Sequence, residues 1–150
     1  MSGRKIITKN RKARHDYNLL DFYDAGLVLM GSEIKSIRDN RINISDGFVQ
    51  ETKGELWLLG VHINIYKEAT RWGHEDPMRP RKLLLHRREI NNILQDIRAK
   101  GMTVVPTQVY LVRGLAKVEI ASAKGKKKYD KRRDIAKRDA ERQIRRALKG

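Results

Sequence analysis

The chain has 150 residues and a net charge of +16, from 34 Lys and Arg against 18 Asp and Glu. One compact domain with an extension suits that length, and a field of that sign draws polyanions, either nucleic acid or an anionic membrane surface. There is no Cys, which excludes disulfides, thiolate catalysis and cysteine-ligated zinc. No apolar run nears the ~18 residues of a spanning helix, and the basic N-terminus lacks the apolar stretch of a secretory signal, so a cytoplasmic protein is expected.

In chain order, "KIITK" reads as a short strand. "RHDYNLLDFYDAG" spaces Tyr17, Leu20 and Tyr23 like one face of a helix, with Phe22 one position off and Gly26 as the stop. "LVLM" reads as a buried strand. "GSEIKSIRDN" sets Ile34 and Ile37 three apart, a short helix that Ser32 can cap. In "GFVQETKGELWLLG", Phe48 to Glu51 and Glu55 to Leu59 flank a Lys53-Gly54 turn, the clearest hairpin signal in the chain.

"HEDPMRPRK" is a loop holding two prolines. "LHRREINNILQDIRAKG" places Ile90, Ile93, Leu94 and Ile97 at i, i+3, i+4 and i+7, with Glu89 in the first turn, Arg98 and Lys100 in the last, and Gly101 as the terminating glycine. "TVVPTQVYLVRGLAKVEIASA" alternates as two strands about Arg113-Gly114, and Pro106 marks an edge or a bulge. Six or seven short strands with glycine turns and three helices predict a mainly β fold with peripheral α: a small closed antiparallel β-barrel, OB-like, over residues 1–123.

The rest, 124–150, has a different character. It holds 13 basic and four acidic side chains, so more than half of the net charge sits there. Ile135, Ala140, Ile144 and Leu148 mark a thin apolar stripe, and Asp134 with Arg138 and Glu141 with Arg145 are i,i+4 pairs worth ~0.2–0.5 kcal/mol each. A stripe of three large side chains at ~1.5–3 kcal/mol apiece does not offset ordering costs of ~1–2 kcal/mol per residue. This tail is expected to be disordered alone and helical on an anionic surface. The plainer reading, a solvated tail that only raises nonspecific affinity, is disfavoured by carboxylates at helix-pair spacing.

Candidate chemistry is sparse. His15, His62, His74 and His86 are scattered, and there is no HExxH, no nucleophile elbow and no glycine-rich phosphate loop. His74, Glu75 and Asp76 are adjacent in a loop, the sole hint of a metal-dependent hydrolase, and neighbouring residues rarely converge on one ion. No catalytic residue, metal or cofactor is expected. Nucleic-acid binding fits better. "NRKARHDY" combines Arg11, Lys12 and Arg14 with Asn10, His15 and Tyr17: forked and point cations for phosphate, an amide for base or ribose edges, rings for stacking. Tyr17 itself reads better as core. Lys35 and Arg38 stand away from Ile34 and Ile37, and Tyr129 lies among cations with no apolar neighbour, a setting that favours a stacking role.

The ordered stretches "NRKARHDY", "GSEIKSIR", "INISDGFV", "DPMRPRKLLLHRREI", "TVVP" and "KVEIASAKGKKKYDKR" resemble those of the bacterial SsrA-binding protein (small protein B) family over nearly the whole chain. The resemblance implies an OB-like barrel, and an adaptor that binds the tRNA-like domain of transfer-messenger RNA and carries it to stalled ribosomes. It implies contact with the decoding centre and messenger channel of the small subunit, and indirectly with elongation factor Tu. By the same resemblance, Asn10, Arg11, Lys12, Arg14 and His15 form an RNA-facing segment. Asp24, near the end of the first expected helix, is an RNA-side acid, and Glu33, Lys35, Ser36 and Arg38 form a second element. Lys124, Gly125, Lys126 and Lys127 form the junction to the tail. Lys128, Tyr129, Asp130, Lys131, Arg132, Arg133, Lys137, Arg138, Arg142, Arg145 and Arg146 meet the ribosome. Some relatives have His where Tyr129 stands; both rings stack, but only His carries an imidazole proton.

Overall fold

The computed structural model describes residues 4–65, 76–126 and 142. Its elements are β1 (Arg4–Lys9), α1 (Arg11–Asp16), β2 (Tyr17–Leu27), α2 (Gly31–Arg38), β3 (Ile42–Asn43), β4 (Phe48–Thr52), β5 (Glu55–Leu59), β6 (His62–Ile63), β7 (Arg81–Leu84), α3 (Arg87–Arg98), β8 (Thr103–Val112) and β9 (Leu115–Gly125). Among the described residues the fold is mainly antiparallel β with the three helices α1 to α3. One sheet has the order β1-β8-β9-β2-β7-β5-β4, and β3 pairs with β6 separately. Among the described residues no ladder joins β4 back to β1, so the expected closed barrel is replaced by a sheet with two edges.

Both hairpins form as their sequences direct. Lys53 and Gly54 at the first turn, and Arg113 and Gly114 at the second, all have positive φ, the backbone that two-residue hairpin turns require. In α3, Ile93 and Leu94 are buried and Ile90 and Ile97 partly so. The helix stops at Arg98, three residues before the left-handed Gly101. The core lies against one face of the sheet, where Ala25, Ile37, Leu56, Leu58, Ile93, Val109, Val118 and Ile120 meet.

The expected helix around Tyr17–Tyr23 is instead strand β2; only Arg11–Asp16 before it is helical. A bulge in the β2–β9 ladder between Leu19 and Phe22 explains the spacing. Tyr17 and Leu19 point inward before it, and Tyr23, Ala25 and Leu27 after it. One inserted residue in a period-two pattern mimics the three- and four-residue steps of a helix. Strand β2 also ends at Leu27, so "LVLM" is mostly a connector: Val28 is exposed and its N–H donates to Lys82 O. The "RK" assigned to a loop opens strand β7, which the sequence concealed by placing a buried arginine, Arg81, in it.

Candidate nucleic-acid interface

Pro106 sets up the first part of the surface. It has no N–H to give, and the β8–β9 register shifts between Pro106 and Gln108, so the predicted irregularity is a bulge inside the sheet, since β8 lies between β1 and β9. The bulge leaves two carbonyls for Asn10. Asn10 Nδ2 donates to Pro106 O (2.8 Å) and to Ile44 O (3.1 Å), and its N–H donates to Thr107 O (2.8 Å). Asn10 Oδ1 accepts from Ala13 N–H (3.0 Å), capping α1. Gly47 closes the corner: a Cβ there would stand 2.7 Å from Pro106 Cγ and 2.9 Å from Val61 Cγ2. Asn10 is 2% exposed, so its amide is spent on the fold and positions the basic helix instead of facing outward.

Ala13 packs α1 onto Val105, Ala123, Tyr17 and Leu19. The opposite side of α1 presents Arg11, Lys12, Arg14 and His15 to solvent. Lys12 Nζ meets Asp46 Oδ1 at 2.7 Å, a hydrogen bond and charge that raise the pKa of its ammonium, and His15 Nδ1 lies 3.0 Å from Asp16 Oδ1. Strand β9 runs on to Gly125, pairing Lys124 with Asn18 and Gly125 with Tyr17, and Lys126 N–H donates to Asp16 O (2.9 Å). The structure therefore brings two segments more than a hundred residues apart in sequence into one basic corner.

The second element folds differently. Helix α2 is as expected, but Met30, not Ser32, is its N-cap: Met30 N–H donates to Glu33 Oε1 (2.9 Å) and Ser32 is buried. Glu33 is fully buried. It pairs with Arg79, and its Oε2 accepts from Arg81 Nε (2.8 Å), Arg81 itself being 1% exposed. Burial pushes the Glu33 carboxyl up, but hydrogen bonds from Arg79, the Met30 amide and Arg81 outweigh it and hold the pKa below its ordinary value. Ser36 is buried too, its Oγ donating to Asn64 O (2.7 Å). Only Lys35 and Arg38 of this motif reach the surface. Arg38 Nη2 donates to Gly114 O (3.4 Å), at the turn end of the β8–β9 hairpin. The α1 corner sits at the other end, eight β9 residues away, roughly 25 Å at the rise of a strand. Two basic sites, not one, result.

Asp24 lies on β2 rather than on a helix, facing outward with Phe22. Tyr110 Oη donates to Asp24 Oδ1 (2.7 Å), and Arg4 covers the Tyr110 ring, its guanidinium carbon 3.9 Å from the ring centroid. Burial, then the Asp24 bond, push the Tyr110 hydroxyl up to about 12. Cross-strand neighbours on the same face are Lys117 and Leu84, both paired with Gly26; Leu84 and Phe22 are about half exposed. This outer face carries an aromatic ring, an aliphatic side chain, cations and a carboxylate on rigid strands. Sequence reasoning missed Phe22, Leu84 and Lys117; reading 22–26 as a strand would have aligned Phe22 with Asp24.

Lys127, Lys128, Tyr129, Asp130, Lys131, Arg132, Arg133, Lys137, Arg138, Arg145 and Arg146 lie outside the described residues, as do His74 and Glu75. Arg142 is described and exposed. Asp76 Oδ1 accepts from Met78 N–H (2.9 Å), a local turn, and among the described residues no three His, Asp or Glu side chains gather for a metal. Nor, among them, is any helix long and apolar enough to cross a membrane.

A family model described as SmpB protein matches residues 7–150. The chain is 55% identical over 145 residues to the SsrA-binding protein of Salinispora tropica, covering 97% of this chain and 91% of that one. It is 53% identical over 143 residues to the SsrA-binding protein of Ligilactobacillus salivarius, covering 95% and 92%. It superposes with a TM-score of 0.67 and 40% identity on a chain of the solved structure "tmRNA-SmpB: a journey to the center of the bacterial ribosome", covering 82% of this chain and 85% of that one. A match that includes the capped basic helix, the outer sheet face and the basic C-terminal stretch places the chain in the SmpB family of SsrA-binding proteins.

Proposed function

We propose that this protein is a non-catalytic adaptor of trans-translation. It binds the tRNA-like domain of transfer-messenger RNA and brings that RNA to stalled ribosomes in the cytoplasm. Family membership together with the convergence of α1 and the end of β9 carries this reading: the chain is similar to SsrA-binding proteins from end to end, and the fold gathers Arg11, Lys12, Arg14 and Lys124 beside the point where the basic C-terminal stretch departs.

Phosphates supply affinity and fix register, and base or ribose edges supply recognition. Arg11, Lys12 and Arg14 suit the first task. Asp24, which repels phosphate, suits the second by accepting from amino or 2′-hydroxyl donors. Asn10, Glu33 and Ser36 act behind the surface by holding α1 and α2. Strand β4 packs against β8, a curl of the sheet that supports an OB-like, barrel-shaped body ending near residue 123. The stretch beyond β9, residues 127–150, then acts on the ribosome, entering the vacant messenger channel and folding there as a helix, with Tyr129 stacking on ribosomal RNA. Elongation factor Tu meets the complex through the RNA.

Binding of the full chain to a transcript of the tRNA-like domain, measured over a range of salt, tests the reading. The expected result is tight binding that weakens as salt rises, survives deletion of residues 127–150, and is accompanied by loss of peptide tagging in the deletion. Cleavage of the transcript in Mg²⁺, or absence of binding at low salt, would overturn it.

A further inference from the structure

The β2 bulge has a consequence beyond register. It turns Leu20 and Phe22 outward, leaving them 50% and 48% exposed, in a strand whose neighbours at 17, 19 and 23 are packed inward. The bulge is anchored: Asp21 N–H donates to Ser122 Oγ (3.1 Å) across the ladder. Bulges of this kind re-aim side chains where a surface has work to do. Leu20 and Phe22 line an open groove of about 660 Å³ together with Tyr17, Asn18, Leu19, Arg14 and Lys126.

An apolar lining shared with two cations suits one occupant in particular. We infer that this groove is a single-nucleotide site, in which an unpaired RNA base stacks on Phe22 and Leu20 while Arg14 and Lys126 hold the flanking phosphates. Charge complementarity supports an anionic partner, and continuity supports RNA. Arg14 belongs to the basic helix of the proposed interface, and Phe22 shares its outward face with Asp24. A paired base within a duplex cannot offer its flat face to a side chain, so the site selects a looped-out or single-stranded nucleotide. The inference rests on the adaptor reading for its biological RNA but not for its chemistry.

The test uses the full chain and a short fluorescent single-stranded oligoribonucleotide, with the same sequence in duplex form as the comparison. Phe22→Leu keeps the apolar bulk and removes the aromatic plane. It is expected to weaken single-strand binding roughly 5- to 100-fold, to leave duplex binding and the thermal midpoint unchanged, and to leave the salt slope intact. Phe22→Trp should restore or exceed the original affinity, and Arg14→Gln should lower the salt slope. Equal single-strand affinity for Phe22→Leu and the parent chain would overturn the proposal, as would an equal loss on duplex. So would a parent dimer in sedimentation that Phe22→Leu dissolves, which would assign the groove to a second copy. Amide exchange of residues 127–150 that quickens in RNA-free Phe22→Leu would assign it to the chain's own C-terminal stretch and would overturn the proposal equally. Failure of the adaptor reading is seen separately, as absent binding of the parent chain to the tRNA-like transcript.

Discussion

Helices α1 and α2 carry similar sequence signatures, a polar anchor beside spaced cations, and the fold secures the two by opposite means. At α1 the anchor is a neutral amide, Asn10, whose groups meet backbone partners. At α2 it is a carboxylate, Glu33, buried against the guanidinium of Arg81 and joined by Arg79. A neutral anchor is cheap to desolvate and indifferent to pH. A buried ion pair carries a large desolvation cost, so it adds little net stability while making the loss of either partner severe. In both helices a polar residue that the sequence assigned to RNA contact turns inward and holds the element that bears it.

The sharpest way to break the symmetry is at α2. Glu33→Gln leaves Arg81 buried without a counter-charge and should cost about 3–5 kcal/mol in urea unfolding; a loss below about 1 kcal/mol would mean that Arg81 finds another acceptor or water. The same contact predicts an acid limit. Because the folded carboxyl titrates below its ordinary 4.5, its stabilisation is complete above that value and is lost as pH falls through the folded pKa. The thermal midpoint should therefore decline below pH ~4.5 in the parent chain, and this component should be missing in Glu33→Gln.

Asn10→Ala is the matching cut at α1. It removes a cap and orphans buried carbonyls, at about 2–3 kcal/mol, and the loss should be the same at pH 5 and pH 8. A pH-dependent loss would show that the anchor is not electrically neutral in effect.

Smaller again is Tyr110→Phe, at about 1 kcal/mol for one hydrogen bond to the partly exposed Asp24. Ultraviolet titration of the parent should show one tyrosine ionising near 12. Because that folded pKa is raised, the bond's contribution is whole below the unfolded value of 10 and fades as pH climbs from there toward 12. The mildest change is Lys12→Ala. Its exposed partner Asp46 gains water in exchange, so the thermal midpoint should hold, while the log–log salt slope of RNA binding should fall by up to about 0.7–0.9. An unchanged slope would remove Lys12 from the phosphate contacts.

Signals contained within a few residues were legible. The left-handed pairs Lys53-Gly54 and Arg113-Gly114, the stripe of α3 and the bulge at Pro106 all follow from local sterics and periodicity. Membership of the family was legible because the order of its motifs survives whatever each motif does. Where local reading failed, distant residues were responsible. The spacing of Tyr17, Leu20 and Tyr23 suits a helix until β9 pairs with it across a bulge, and Arg81 reads as a loop cation until Glu33 draws it into the core.

The sequence by itself determined the charge, the turns, α3 and the presence of a basic C-terminal stretch, because composition and backbone preference act within a few residues. Only the tertiary structure decided that Asn10, Glu33 and Ser36 turn inward while Arg14, Phe22 and Lys126 share one groove. Burial and juxtaposition depend on which strands pair, and pairing between β2 and β9 joins residues too far apart in the chain for any local pattern to record.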